Sequence, residues 1–193
     1  RWQPCPDPEA DRPAHVRRFF PRIHVCLSAL TVNATLPDWP GHCFGCSPRN
    51  PLGLHLRFER TAEGCRTSHS VSDRHCGIEG IAHGGIVSTL LDETAAWAII
   101  LHSGRLGLTT RMGVEFVKPV PTATPLELEA WIVSRDGKRA TTRAEIRDGG
   151  GAVLAHCAAE WALASAAVVS RMSGLDRSLL AGFFAAAHPS PAD

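Results

Sequence analysis

The chain has 193 residues, 44% of them apolar, and carries 20 Lys+Arg against 19 Asp+Glu for a formal net charge of +1. That composition excludes a disordered chain and suits one domain with additions. The balanced charge supplies no basic field to gather nucleic acid or an anionic membrane surface, so neither is expected as a partner. The longest apolar run, 84–101, is interrupted by Asp92 and Glu93, so no membrane span is expected. Seven cysteines, an odd number scattered at 5, 26, 43, 46, 65, 76 and 157, imply no disulfide framework, and a cytoplasmic location is expected.

Residues 1–38 are broken by prolines and sustain neither a period of 2 nor one of 3.6, so they read as an irregular tail. A second reading of the same stretch is a leader. Arg17, Arg18 and Arg22 precede the apolar run 23–32, and Val32-Asn33-Ala34 resembles a cleavage site, although His24 interrupts the run. A domain is expected over 39–165. Leu54, Leu56 and Phe58 alternate with polar residues as a half-buried strand does, and 65–71 forms a second strand. At 84–103 the period becomes helical. Ile86, Leu90, Trp97 and Leu101 form one stripe, Val87, Leu91, Ala95 and Ala98 lie beside it, and Gly104 fits the C-terminal cap.

Four strands follow, with inward parities Met112/Val114/Phe116, Leu126/Leu128/Ala130/Ile132, Ala140/Thr142/Ala144/Ile146 and Val153/Ala155/Cys157/Ala159/Trp161/Leu163. Turn signals at Asp136-Gly137 and 148–151 make the last three an antiparallel set. The expected fold class is therefore α+β, one long central helix against one antiparallel sheet. Residues 166–193 read as a C-terminal appendage with a short helix near 175–187.

Chemistry concentrates at 80–93. A helix N-terminus presents unpaired N–H groups and a positive dipole end, and Gly84 and Gly85 would let a ligand oxygen approach them. The competing reading is that the two glycines only permit a tight turn. Asp92 and Glu93 sit inside an apolar helix, where a carboxylate must be solvated, paired or functional. Either a structural ion pair or a reactive group satisfies that requirement for Asp92, and Glu93 is read as facing solvent or a partner.

Several ordered motifs now combine: His83-Gly84-Gly85 with Asp92 nine residues after the histidine, the preceding Gly77-Ile78-Glu79-Gly80, Cys43-Phe44-Gly45-Cys46 with Asn50-Pro51-Leu52-Gly53-Leu54, and Val117-Lys118-Pro119-Val120-Pro121. Over roughly 42–164 the chain resembles hotdog-fold acyl-CoA thioesterases of the phenylacetate-pathway (PaaI) and thioesterase-superfamily-member type. The resemblance implies a curved sheet around the long helix and a homodimer or homotetramer with the site at a subunit interface. It also implies an acyl-CoA substrate, Asp92 as general base or nucleophile, and the Gly84 N–H as carbonyl polariser. His83 then shapes the loop, Thr109 (with Thr110 as fallback) assists the attacking water, and Gly77, Gly85 and Thr110 line the substrate site. Some relatives carry an Asn or Gln just ahead of the His-Gly-Gly loop, where this chain has Cys76 and Gly77.

No cofactor or metal is expected. Cys43-x-x-Cys46, with His42, His55 or the His75-Cys76 pair as further ligands, lacks the second Cys-x-x-Cys of a closed zinc site. A His75/Cys76 nucleophile pair is disfavoured, since neighbours on an extended segment point to opposite faces. Arg49, Arg57, Arg105, Arg111 and Arg139 are candidates for phosphate contacts, each with the competing reading of a solvated surface residue. Two rival functions stand beside thioester hydrolysis. One is a hotdog acyl-thioester hydratase or dehydratase, and the other is a non-catalytic acyl-CoA-binding module.

Overall fold

The structure is a computed structural model that describes residues 36–188. The leader reading and most of the expected tail lie outside the described residues. The elements run β1 (Glu59–Arg60), β2 (Gly64–Ser70), a 3-10 turn (Asp73–His75), β3 (Cys76–Ile78), β4 (Ile81–Ala82) and α1 (Gly84–Ser103). After these come β5 (Leu106–Phe116), β6 (Pro125–Arg135), β7 (Arg139–Arg147), β8 (Val153–Ala164), α2 (Ala166–Ser173) and α3 (Arg177–Ala187). Six strands form one sheet in the order β1-β2-β6-β7-β8-β5, with every pairing antiparallel, and β3-β4 form a separate hairpin. The expected α+β hotdog arrangement is what the chain adopts: one long helix lying against a large antiparallel sheet.

The helix forms over 84–103 because an apolar surface wider than one stripe has to be covered. Val87, Leu90, Leu91, Ala95, Trp97, Ala98, Ile99, Ile100 and Leu101 are all buried in it. Gly104 ends it in the left-handed conformation at φ 61°, which a side chain would resist. Among the described residues α1 has the length and apolarity of a membrane span, yet its apolar side chains are those of the core that the sheet encloses. From the sheet, Leu126, Leu128, Ala130, Ala140, Ala144, Ile146, Ala155, Cys157 and Trp161 meet it. Of the indoles in this core, Trp161 Nε1 donates to Thr142 Oγ1 at 2.8 Å on the neighbouring strand, whereas the buried Trp97 Nε1 has no partner among the described residues.

The structure corrects several expectations. Leu54, Leu56 and Phe58 are buried on one parity, but 54–58 is not a ladder strand. Its backbone serves the preceding loop instead, Leu54 N–H donating to Phe44 O at 2.7 Å and Leu56 N–H to Gly45 O at 2.9 Å. Phe116 is 53% exposed, because it ends the sheet's edge strand, where no further strand covers it. On β8 the inward parity shifts at the start to Leu154, opposite a register irregularity between Ile146 and Arg147, and at the end to Ala164.

The C-terminal segment holds two helices, and α3 closes the core beyond the sheet. Leu180, Phe183, Phe184 and Ala187 are buried, and Phe183 packs edge-on against Trp39 at 5.1 Å and Trp97 at 5.9 Å between ring centroids. Trp97 in turn stacks on Phe58 at 5.0 Å. The Arg60 guanidinium donates to the carbonyls of Leu101 and Ala187, tying the end of α1 to the end of α3. Replacing Phe183 by alanine is expected to lower the unfolding free energy by about 3 kcal/mol in urea titrations. Leu179→Ala, on the exposed side of the same helix, should change it by less than about 0.5 kcal/mol. Equal small effects would show α3 to be detached from the core.

Candidate active site

His83 starts α1. Its backbone is extended (φ −61°, ψ 136°), and its Nδ1 accepts the Gly85 N–H at 3.0 Å, which satisfies one of the helix's four unpaired donors. The His83 N–H donates to His75 O at 2.9 Å, and a Cβ at Gly77 would stand 3.1 Å from His83 Cα. Gly77 therefore matters here as the place where the β3-β4 hairpin presses close against the capping histidine. The hairpin is fixed in turn by Ala82 N–H to Val120 O at 2.9 Å and by Thr122 N–H to Gly80 O at 3.0 Å.

Neither Gly84 nor Gly85 has a positive φ; in this region only Gly80 does, at 74°. Backbone angles therefore require glycine at neither position, while a Cβ at Gly85 would stand 3.1 Å from the capping His83 Nδ1. A Cβ at Gly84 would meet only the Phe116 ring, at 3.6 Å, and the Gly84 N–H has no hydrogen-bond partner among the described residues. What glycine secures at 84 is a bare, exposed N–H at the positive end of a helix. Gly84→Ala is expected to leave unfolding stability unchanged or raise it by up to about 1 kcal/mol in urea titrations. A loss of more than about 1 kcal/mol would restore a conformational role for the glycine.

Asp92 lies two turns further on, half-buried, and its Oδ1 accepts the Thr109 hydroxyl at 2.7 Å. Burial raises the Asp92 carboxyl above the ordinary carboxylate range, against which the Thr109 hydrogen bond pulls it down. The partnership depends on a bulge in β5. Thr109 faces Trp161 and Arg111 faces Glu160 across the β8 ladder, so Thr110 is the extra residue. The Thr110 hydroxyl donates to Glu160 O at 2.9 Å, so it is Thr109 that serves the helix and Thr110 that is bound to the neighbouring strand.

Glu93 lies one residue on, about 100° round the helix, and meets the loop 41–53. Cys43 Sγ stands 3.5 and 3.4 Å from its two carboxylate oxygens, and Cys43, Cys46 and Glu93 group within 4.8 Å of one another. The Cys43 thiol is lowered to about 5, chiefly by its hydrogen bond with Cys46, and the Cys46 thiol is raised in return. Burial and Cys43 hold the Glu93 carboxyl up at about 8. The sequence reading missed this cluster because it left Glu93 to solvent or a partner and sought ligands for Cys43-x-x-Cys46 among nearby histidines. The available signal was a second acid in a helix with little solvent-facing surface.

The arginines considered for phosphate are partly engaged elsewhere. Arg49 donates to Pro40 O, Arg57 pairs with Asp38, Arg105 donates to Gly137 O, and Arg111 stands 3.8 Å from Glu160.

A buried helix cupped by an antiparallel sheet, with a bare N-terminal N–H and a carboxylate in mid-helix, defines a hotdog domain with a chemically equipped helix. The family profile of the thioesterase superfamily matches residues 79–155, which run from the turn of the hairpin through β4, α1 and the strands to the start of β8. Residues 79–155 thus resemble the thioesterase superfamily, and the fold is the hotdog fold that its solved members share. Among solved structures, a thioesterase superfamily protein is 26% identical with a TM-score of 0.59, over 63% of this chain and 60% of that one. The match thus spans less than two thirds of that protein. The PaaI protein of the E. coli phenylacetic acid degradation operon shares the fold at 17% identity and TM-score 0.53, over 56% of this chain and 83% of its own. So does a hypothetical thioesterase from Streptococcus pneumoniae solved with coenzyme A, at 17% identity and TM-score 0.52, over 56% and 84%. No curated protein matches the chain in sequence.

Proposed function

We propose that the protein hydrolyses acyl-CoA thioesters to a free acid and coenzyme A. The observation that carries the reading is the Asp92 carboxylate, partly desolvated in an apolar helix and held by the Thr109 hydroxyl at 2.7 Å. A carboxylate so placed is a stronger base than one in water. Asp92 takes a proton from water while the water oxygen attacks the thioester carbon. The Gly84 N–H stabilises the oxyanion, and the coenzyme A thiolate leaves with the proton that Asp92 held. Direct attack by Asp92 would instead give a mixed anhydride that water then opens. The match of residues 79–155 to the thioesterase superfamily and a fold neighbour solved with coenzyme A support the substrate class.

Helix geometry bears on where one site's parts reside. Gly84 and Asp92 are eight residues apart on α1, about 12 Å of rise, too far for one carbonyl to touch both. The reading therefore pairs the Gly84 loop of one subunit with Asp92 of the other across a twofold axis, giving two composite sites per dimer. β5, which carries Thr109, is one of the two edge strands of the sheet, and its open edge suits pairing with a second copy.

Thiol release from a panel of acyl-CoAs, short, long and aryl, tests the reading. At least one should turn over without added cofactor, Asp92→Asn should lower kcat by roughly 100-fold or more, and Thr109→Val by roughly tenfold. Unchanged turnover in Asp92→Asn would remove that residue from the mechanism. Coenzyme A binding without turnover of any thioester would make the domain an acyl-CoA-binding module.

A further inference from the structure

We propose that Cys43, Cys46 and Glu93 form a zinc(II) site that fastens the loop 41–53 to the middle of α1. The ligand atoms of the three residues already lie within 4.8 Å of one another. A tetrahedral zinc with Zn–S near 2.3 Å and Zn–O near 2.0 Å has sulfur–oxygen edges of about 3.5 Å and sulfur–sulfur edges of about 3.8 Å. The observed distances from Cys43 Sγ to the Glu93 oxygens, 3.5 and 3.4 Å, match the first of these. One edge of the tetrahedron is in place, the other two ligand pairs lie within 4.8 Å, and water would complete the fourth corner.

The backbone is shaped to hold those corners together. Gly45 lies between the cysteines with its N–H donating to Cys43 Sγ at 3.3 Å. A Cβ there would stand 2.5 Å from the Glu93 carboxyl, so a side chain at 45 would push the carboxyl off its place beside the thiols. Ser47 N–H donates to Cys43 O at 3.1 Å, which makes the turn that sets the two thiols side by side, and Leu54 and Leu56 tie Phe44 and Gly45 from outside. Cys46 is 4% exposed. These contacts fix the ligands before any ion arrives.

The chemistry of the donors points the same way. No ion pair recorded among the described residues reaches Glu93, whose near neighbours are the two thiols. Two thiolates and one carboxylate form a donor set for zinc, borderline-soft and four-coordinate, while calcium and magnesium take oxygen ligands. On binding, the metal replaces the thiol protons and any carboxyl proton, which pass to solvent, and no electron is transferred. The third ligand comes from α1, 50 residues beyond Cys43, so no second Cys-x-x-Cys is needed.

The inference stands apart from the catalytic reading, and its test uses no turnover. Full-length protein prepared under reductant and freed of metal by chelation is titrated with Co(II), the spectroscopic stand-in for zinc. The expected result is one Co(II) per chain with tetrahedral d–d bands and thiolate-to-cobalt charge transfer, both removed by zinc. The Cys43→Ser/Cys46→Ser double variant should lose those bands, and Glu93→Gln should weaken binding by more than about tenfold. The proposal is overturned if wild-type protein shows no thiolate–cobalt bands, if the double-serine variant keeps them, or if Glu93→Gln binds as tightly as wild type. It is equally overturned if Cys43 and Cys46 are found joined as a disulfide in the reductant-prepared protein. The wild-type titration decides the matter even where a variant fails to fold.

Discussion

A twenty-residue helix buried along much of its length leaves little room for two adjacent carboxylates in its middle. Each must be removed from water, at a cost that only hydrogen bonds or counter-charges offset. Asp92 and Glu93 differ by about 100° round the axis, so one neighbour cannot serve both. The fold supplies two. β5 brings the Thr109 hydroxyl to Asp92, and the loop 41–53 brings two thiols to Glu93. Much that is irregular around α1, the bulge at Thr110 and the closed loop at Gly45, follows from meeting those two demands.

The two carboxylates are consequently left in different states. Asp92 keeps a hydroxyl donor and an open edge strand beside it, which leaves its second oxygen available for chemistry in the proposed site. Glu93 is enclosed by sulfur and by a glycine with no room for a side chain. At the start of the same helix, a histidine caps one donor and the hairpin 76–82 holds that histidine, while the Gly84 N–H remains bare. A rigid helix thus presents a donor at one end and a carboxylate in its middle at a separation its own geometry fixes.

The long helix was legible in the sequence to its last residue, because a wide apolar stripe and a capping glycine are local signals. The β6-β7 and β7-β8 hairpins were legible for the same reason, through Asp-Gly turns and alternating parity. What escaped depends on partners distant in the chain. Residues 54–58 alternate like a strand but bond to the Phe44-Gly45 backbone, Phe116 lies at an edge no local pattern announces, and Glu93 finds its partners 50 residues earlier. The pairing of Thr109 rather than Thr110 with Asp92 needed the bulge, which composition does not reveal. The motif resemblance named both residues and could rank them only by counting back from Pro119.

In the proposed site one carbonyl is served by two subunits, and mixed dimers test that arrangement directly. Gly84→Pro removes the N–H at the first helical position, where proline is well tolerated, and Asp92→Ala removes the proposed base. A dimer holding one subunit of each kind has one wholly wild-type composite site and one doubly defective site. Refolded together in equal amounts, the two inactive variants should regain about one quarter of wild-type turnover, half of the dimers being mixed and each of those half active. Activity no greater than that of either variant alone, with wild-type protein surviving the same refolding, would contradict the composite site.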